Sequence, residues 1–261
     1  MRIIDFHTHI YPEKIAKLAS ESISSFYDLD KGLVGSAEVL LQRGEKSGIT
    51  DFVLLPVANS PANVRSINRF IVDEQNTHSQ FHGFGTVHAD MTNMADEIDY
   101  IVSNGLYGVK LHPDSQRFNA DDERLFPLYE SIQGRIPVLI HCGDKRFDTS
   151  HPRRIANIID KFPKLTVIAA HLGGWSVFNE ALELLQKRKC YVDISSCMEF
   201  LPKEKMLYYI NGYGADRVLF GSDFPLWDPV NVLANFEKLE LNDSSREKIL
   251  YKNALEILKK A

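Results

Sequence analysis

Short apolar runs alternate with helix-like segments along the whole chain, and this alternation limits its possible folds more than any other feature. The segments between the runs carry apolar residues three or four positions apart, as one face of a helix does. Because strands that alternate with helices form parallel sheets, the pattern predicts an α/β protein. The apolar runs, interpreted as buried strands, are residues 2–6, 50–56, 81–87, 107–111, 136–140, 165–170, 190–194 and 217–220.

The number of these strand–helix units indicates the architecture. Eight strands in 261 residues match a (β/α)8 TIM barrel, which typically has about 250 residues. A doubly wound sheet is the alternative, but the first strand lacks the Gly-x-Gly-x-x-Gly turn of a dinucleotide site. No linker-like stretch divides the chain, so residues 1–261 are expected to form a single domain. Residues 10–35 are expected to form a short helix and loop, inserted after strand 1, that could cover a site.

Composition and charge exclude several classes of protein. A hydrophobic content of 44% with 25% charged residues is typical of a globular chain and not of a disordered one. The net charge of -5 disfavours nucleic acid as a partner. No apolar stretch reaches the roughly 20 residues of a membrane span, and no signal peptide is seen. Three cysteines are too few for a disulfide framework, so we expect a cytoplasmic protein without membrane partners, whose assembly as a homodimer is left open.

Histidines are concentrated at the carboxyl ends of the predicted strands, where TIM barrels build their active sites. A single histidine there is more often a hydrogen-bonded core residue than a ligand, but five of the nine in the chain occupy such positions. An aspartate, Asp223, follows the eighth strand. Imidazole and carboxylate are ligands that suit divalent zinc, manganese or iron, so the pattern predicts a metal site. The five histidines are His7, His9, His112, His141 and His171.

Five motifs at successive strand ends resemble those of the amidohydrolase superfamily. They are D-F-H-T-H at 5–9, V-K-L-H-P at 109–113, I-H-C-G at 140–143, A-H-L-G-G at 170–174 and G-S-D-F-P at 221–225. The resemblance is strongest to the amidohydrolase-related branch, which includes small metal-dependent hydrolases and decarboxylases of the aminocarboxymuconate-semialdehyde type. It extends over essentially the whole chain, and the order of the motifs makes it far more specific than H-x-H alone.

The resemblance implies a role for each motif residue. His7, His9, His141 and Asp223 match the ligands of a divalent metal, with one zinc ion as the expectation and manganese or iron as alternatives. His171 matches a residue that is a ligand in some members and an acid or base in others. Asp223 is the expected base, which accepts a proton from a metal-activated water. Asp5, one layer below the histidine pair, is a candidate hydrogen-bond partner for their rings.

Lys110 leaves two alternatives open. In binuclear members of the superfamily a lysine on the fourth strand is carboxylated and bridges two metals, and Lys110 stands on that strand. Otherwise it remains an ammonium that binds an anionic substrate group, with His112 as an additional hydrogen-bond donor. We favour the second alternative, because the remaining ligands already complete a site for one metal.

Loop residues and the reaction complete the prediction. Arg146 is a candidate for binding a substrate carboxylate or phosphate, or else a solvated loop charge. Trp175 and Trp227 are candidate apolar walls, or else simply fill space under loops. The expected function is hydrolysis of a small anionic amide, lactone or ester by a metal-activated water. The alternatives are a metal-dependent, non-oxidative decarboxylase of a small unsaturated acid, which the short chain disfavours, and a non-catalytic metal- or ligand-binding barrel.

Overall fold

The computed structural model describes residues 2–30 and 32–259, and within them every strand pairing is parallel. The predicted run at 81–87 is divided at Phe84 into two short strands, the run at 2–6 overlaps a strand that extends to Thr8, and the other six predicted runs each contain one strand. The strands are β1 (Ile4–Thr8), β2 (Asp51–Leu54), β3 (Phe81–Gly83), β4 (Gly85–Thr86), β5 (Val109–Leu111), β6 (Val138–Ile140), β7 (Val167–Ala169), β8 (Tyr191–Asp193) and β9 (Val218–Leu219).

The strands form one closed ring. Regular pairing gives a sheet of β1–β3 and a sheet of β4–β9. At one junction, the Phe84 amide donates to the Leu54 carbonyl at 2.9 Å. At the other, the Phe6 amide donates to the Phe220 carbonyl at 2.9 Å, and an isolated bridge joins Thr8 to Phe224. The predicted (β/α)8 TIM barrel is therefore confirmed, with an interrupted third strand.

Helices follow the strands and bury apolar faces against them. In the fourth barrel strand, Val109 and Leu111 belong to the large apolar cluster shared with the helices, so Lys110 between them points the other way, into the ring. The helices are α1 (Glu13–Phe26), α2 (Ala37–Ser47), α3 (Val64–Thr77), α4 (Met94–Ser103), α5 (Pro113–Gln116), α6 (Phe126–Ile132), α7 (Pro152–Lys161), α8 (Phe178–Leu185), α9 (Lys203–Tyr213), α10 (Pro229–Glu237), α11 (Asp243–Glu247) and α12 (Asn253–Leu258). Short 3-10 turns lie at Pro61–Asn63, Glu123–Leu125 and Ala215–Arg217, and a π turn lies at Lys248–Lys252.

The insertion after β1 forms the expected helix and loop. Helix α1 contributes only small side chains to the protein interior, namely Ala16, Ser20 and Ser24. Polar contacts hold it in place: Ser20 Oγ accepts from the Gly35 amide at 2.8 Å. In the described part of the chain, no helix has the length and apolar character needed to cross a bilayer.

Candidate active site

Three side chains from the two ends of the sequence meet above β1 and β9. His7 lies in β1, His9 follows it, and Asp223 lies in the loop after β9. Asp223 Oδ1 is 3.5 Å from His7 Nε2 and 3.3 Å from His9 Nε2. One potential ligand atom of each residue lies within 4.8 Å of the other two. The structure thus brings together three of the five residues predicted as metal ligands.

The other ring nitrogen of each histidine is held by an acceptor. His7 Nδ1 donates to Asp193 Oδ2 at 2.9 Å, and His9 Nδ1 donates to the Leu55 carbonyl at 2.5 Å. A carboxylate and a carbonyl can only accept, so Nδ1 carries the proton in each neutral ring and Nε2 carries the lone pair. Burial, and then the charge of Lys110, lowers the pKa of His7 to about 3, which keeps that ring neutral. In its neutral form each ring therefore presents an unprotonated Nε2 toward Asp223.

Asp193, at the end of β8, is a functional residue that the sequence analysis did not identify. It is completely buried, accepts from His7 and Ser195, and receives the His171 amide at 3.1 Å. Burial alone would raise the pKa of Asp193, but its contact with His7 holds it below the usual range. The available signal was an acidic residue ending an otherwise apolar strand, at the same end of the barrel as the histidines.

Replacing Asp193 with asparagine is expected to weaken divalent-metal affinity about 10- to 100-fold, because the His7 ring loses the partner that fixes its orientation and tautomer. The measurement is competition for Zn²⁺ against a chromophoric chelator, with circular dichroism to verify folding. Asp160→Asn, which removes an exposed carboxylate paired with Arg188, is the matched control. An unchanged affinity in the folded Asp193→Asn protein would refute this role.

Asp5 does not have the role considered for it. Its Oδ1 accepts from the backbone amides of Ser222 at 2.8 Å and His7 at 3.2 Å, so it connects the backbone of β1 with that of the loop after β9 and does not contact the histidine rings. Burial raises the pKa of Asp5 to about 7. Asp193, at the end of β8 and separated from β1 by one strand, holds the His7 ring instead.

A short hydrogen-bond chain orients Asp223 from the side facing away from His7 and His9. Trp227 Nε1 donates to Ser196 Oγ at 2.8 Å, and that hydroxyl donates to Asp223 Oδ2. Donation to a carboxylate favours its ionised form. Trp227, predicted as an apolar wall of the site, contacts the ring of Phe200 and lies behind Asp223.

His141 and His171 form a second hydrogen-bonded unit. His171 Nδ1 donates to the Ser195 carbonyl at 3.0 Å, so His171 Nε2 accepts from His141 Nδ1, also at 3.0 Å. The Nε2 atom of His141 is buried, has no hydrogen-bond partner in the part of the chain that the structure describes, and faces Asp114 Oδ2 at 3.4 Å. The His171 ring lies between the other two rings, with its centroid 4.9 Å from that of His7 and 4.8 Å from that of His141.

Another set of potential ligand atoms comes from His112 and Asp114, which follow β5, and from His141, which follows β6. The rings of His112 and His141 stack at 4.0 Å. Burial, reinforced by this neighbouring ring, lowers the pKa of His112 well below its usual range. Asp114, which the sequence analysis did not single out, also accepts from Thr149 and Ser150 hydroxyls.

Strained backbone occurs at two of the predicted site residues. His171 and Asp223 have φ angles of 59° and 64°, in the left-handed region that residues other than glycine seldom adopt. Such strain is held in place by surrounding contacts and is concentrated at functional sites. It places both side chains toward the cavity above the strands.

Lys110 is a buried cation beside the histidine pair. Its Nζ lies 3.2 Å from His7 Nε2, and no ion pair involving it is found among residues 2–30 and 32–259. Burial lowers the pKa of Lys110 to about 8, although Asp223 and Asp193 oppose that shift. A buried ammonium without a carboxylate partner is costly, which favours an anionic ligand beside it.

A cavity of 210 Å³ connects these groups with the insertion. Its polar floor contains both predicted substrate-binding residues of the fourth strand, Lys110 and His112. Trp175 borders an adjoining cleft shared with Tyr27. Arg146 does not line the cavity and instead pairs with Asp144, with Nη2 to Oδ2 at 2.6 Å. The remaining lining includes Tyr11, Ala19, Ile23, Phe26, Val57, Pro225 and Leu226.

The barrel and the residues at its strand ends define the chain as an enzyme-type TIM barrel with a candidate metal centre. A model of the amidohydrolase family matches residues 4–260. The chain therefore belongs to the amidohydrolase family, as its motifs predicted. No curated protein sequence matches it.

Solved structures confirm the fold. An uncharacterised TIM-barrel protein of Bordetella bronchiseptica is 22% identical with a TM-score of 0.84, and the match covers 100% of this chain and 99% of that one. A dihydroxybenzoic acid decarboxylase of a Polaromonas species, solved with manganese and 2-nitroresorcinol, is 17% identical with a TM-score of 0.74 over 98% and 96% of the two chains. A 5-carboxyvanillate decarboxylase of Novosphingobium aromaticivorans, also solved with manganese, is 15% identical with a TM-score of 0.78 over 98% and 96%.

The residues present fit the divalent metal that the family implies. His7 Nε2, His9 Nε2 and Asp223 Oδ1 are three electron-pair donors. Asp223 Oδ1 lies 3.5 Å and 3.3 Å from the two Nε2 atoms, and all three potential ligand atoms lie within 4.8 Å of one another. In the tautomers fixed by their partners, no proton lies between the rings and the carboxylate. A cation relieves the mutual repulsion of such atoms, and imidazole with carboxylate suits a borderline divalent ion.

Proposed function

We propose that the protein is a metal-dependent hydrolase that cleaves a small anionic amide, lactone or ester. The observation that carries the proposal is the convergence of His7, His9 and Asp223 at the floor of a cavity that also contains the Lys110 ammonium, for which the described residues provide no carboxylate partner. Family membership and the orientation of both rings, each of which has Nδ1 held by an acceptor and Nε2 facing Asp223, support it. His7, His9 and Asp223 would hold one divalent ion, with His141 as the further ligand expected from its motif.

A bound divalent ion supplies Lewis acidity, which polarises a carbonyl group and brings the pKa of water from 15.7 toward about 7. Asp223 supplies the carboxylate that accepts the proton of the attacking water, while Ser196 holds its other oxygen. His171 lines the cavity with its Nδ1 proton committed to Ser195 and its Nε2 accepting from His141 Nδ1, so Nε2 would exchange a proton with the leaving group only when the hydrogen bond from His141 opens. Lys110 orients the anionic end of the substrate, and His112 borders the same cavity floor.

Decarboxylation is the second candidate, and the comparisons favour it. Solved neighbours act on dihydroxybenzoate and carboxyvanillate, and matches extend over 96% or more of those chains, so length gives no reason to disfavour this reaction. In this reaction the bond between carbon and the carboxylate breaks, carbon dioxide leaves, and a proton adds to the carbon. Lys110 would bind the carboxylate, and His171 would donate the proton from Nε2, after taking up a proton there from solvent in place of the hydrogen bond from His141.

A substrate panel separates the two reactions. The purified protein, loaded with Zn²⁺ or Mn²⁺, is incubated with N-acyl amino acids, carboxylated lactones, 2,6-dihydroxybenzoate and 5-carboxyvanillate. We expect ring opening or deacylation without release of carbon dioxide. Release of carbon dioxide in equal amount to the acid consumed would establish the second candidate, and no turnover with any compound would favour a non-catalytic barrel.

A further inference from the structure

Tyr27 follows the last residue of helix α1 and reaches from the insertion to the floor of the site. Its hydroxyl lies 2.8 Å from His112 Nε2, and its side chain borders both the main cavity and the adjoining cleft. The sequence analysis assigned it no role. It is a polar side chain that the insertion places among the strand-end residues.

The hydrogen bonds of His112 determine what the Tyr27 hydroxyl can do. His112 Nδ1 accepts from the Ser115 amide at 3.4 Å, at the beginning of α5. In the neutral ring Nε2 therefore carries the proton and donates it to Tyr27 Oη. The hydroxyl proton of Tyr27 then remains free to be donated into the cavity. Burial raises the pKa of Tyr27 well above its usual range, which keeps that proton in place.

Surrounding side chains fix the Tyr27 ring. The Trp175 ring packs against it edge to face, with centroids 5.5 Å apart. The Arg146 guanidinium lies over the Tyr27 ring at 5.6 Å from the ring centroid, and Arg146 Nη1 donates to the Phe26 carbonyl at 2.9 Å. Arg146, itself held by Asp144, thus anchors the end of α1 and positions its neighbour Tyr27.

We propose that Tyr27 is a substrate-binding residue whose hydroxyl donates a hydrogen bond to an anionic oxygen of a small carboxylic acid, in the cavity that also contains Lys110. The inference rests on the proposed function, because it assumes that the substrate is anionic. It adds a determinant of specificity that the insertion, and not the barrel, supplies. A hydrogen bond to a charged group contributes more than one to a neutral group, so the acid form should depend on Tyr27 most strongly.

The test compares binding of two probes, N-benzoylglycine and 2,6-dihydroxybenzoate, and of their methyl esters to the Zn²⁺-loaded protein by calorimetry. For Tyr27→Phe we expect the Kd of the acid that wild type binds better to rise about 10- to 100-fold, and the Kd of its ester to change much less. Tyr208→Phe, which removes an exposed tyrosine hydroxyl from α9, is the matched control and should bind as wild type does.

Hydrogen exchange of residues 13–29 accompanies the binding measurements. Equal acid binding by wild type and Tyr27→Phe would overturn the inference and leave the proposed function standing. Equal loss of acid and ester binding, with faster exchange in α1, would overturn it as well, because Tyr27 would then act only by holding the insertion closed. If wild-type protein binds neither acid, the anionic substrate class fails, and the proposed function falls together with the inference.

Discussion

Asp223→Asn is expected to lower kcat about 10²- to 10⁴-fold, the range that general acid–base catalysis contributes. The substitution keeps the size of the side chain but replaces an anionic oxygen facing His7 and His9 with a neutral amide. Metal binding is expected to weaken as well, because Asp223 Oδ1 is one of the three convergent donor atoms. The amide also loses the charge that favours the hydrogen bond from Ser196.

Steady-state kinetics with the best substrate of the panel and metal analysis of the same preparation measure both effects. Asp99→Asn removes an exposed carboxylate from α4 and should leave both unchanged. Kinetics at saturating metal separate the two contributions, since weak metal binding is then overcome and the missing base is not. A variant that is fully active at saturating metal would show that Asp223 acts only as a ligand.

Lys110→Met is expected to weaken substrate binding and, at the same time, to raise the stability of the folded protein. Loss of the ammonium should weaken binding of the anionic substrate about 30-fold or more, because one partner of a buried charge pair is removed. The same change removes a buried, unpaired charge from the substrate-free protein and keeps an unbranched side chain of similar length. We therefore expect unfolding at a higher temperature, by about 2–4 °C for each kcal/mol gained.

Thermal unfolding, substrate affinity and metal content together check this prediction. Lys164→Met, which changes an exposed lysine near the opposite end of the barrel, is the control for loss of a positive charge. The binuclear alternative predicts a different result. If Lys110 is carboxylated, wild type should take up two equivalents of metal in the presence of bicarbonate, and Lys110→Met should lose one of them together with stability.

Much of the fold could be predicted because its signals are local. The alternation of apolar runs and helical spacing is a property of a few neighbouring residues, and eight repeats leave little choice of architecture. The division of the third strand at Phe84 could not be read in this way. Apolar content continues through 81–87, and only the pairing with neighbouring strands shows where the regular hydrogen bonding stops.

The candidate site was predictable where strand-end motifs carry it, as for His7, His9 and Asp223. Asp193 could not be identified because it is 186 positions away from His7 in the sequence, and only closure of the barrel brings the ends of β1 and β8 close together. Arg146 illustrates a different limit. An exposed loop arginine can reach many partners. Here the guanidinium of Arg146 donates to the carboxylate of Asp144, only two residues away, and therefore lies outside the cavity.

Helix α1, above the cavity, buries few side chains against the rest of the molecule. Since α1 fills the interior only with Ala16, Ser20 and Ser24, most of its positions can change without a penalty in barrel packing. The strand ends, in contrast, are fixed by mutual contacts of buried polar groups. Exchanging residues 10–35 for segments of different composition is therefore a direct route to variants with altered substrate preference on an unchanged catalytic floor.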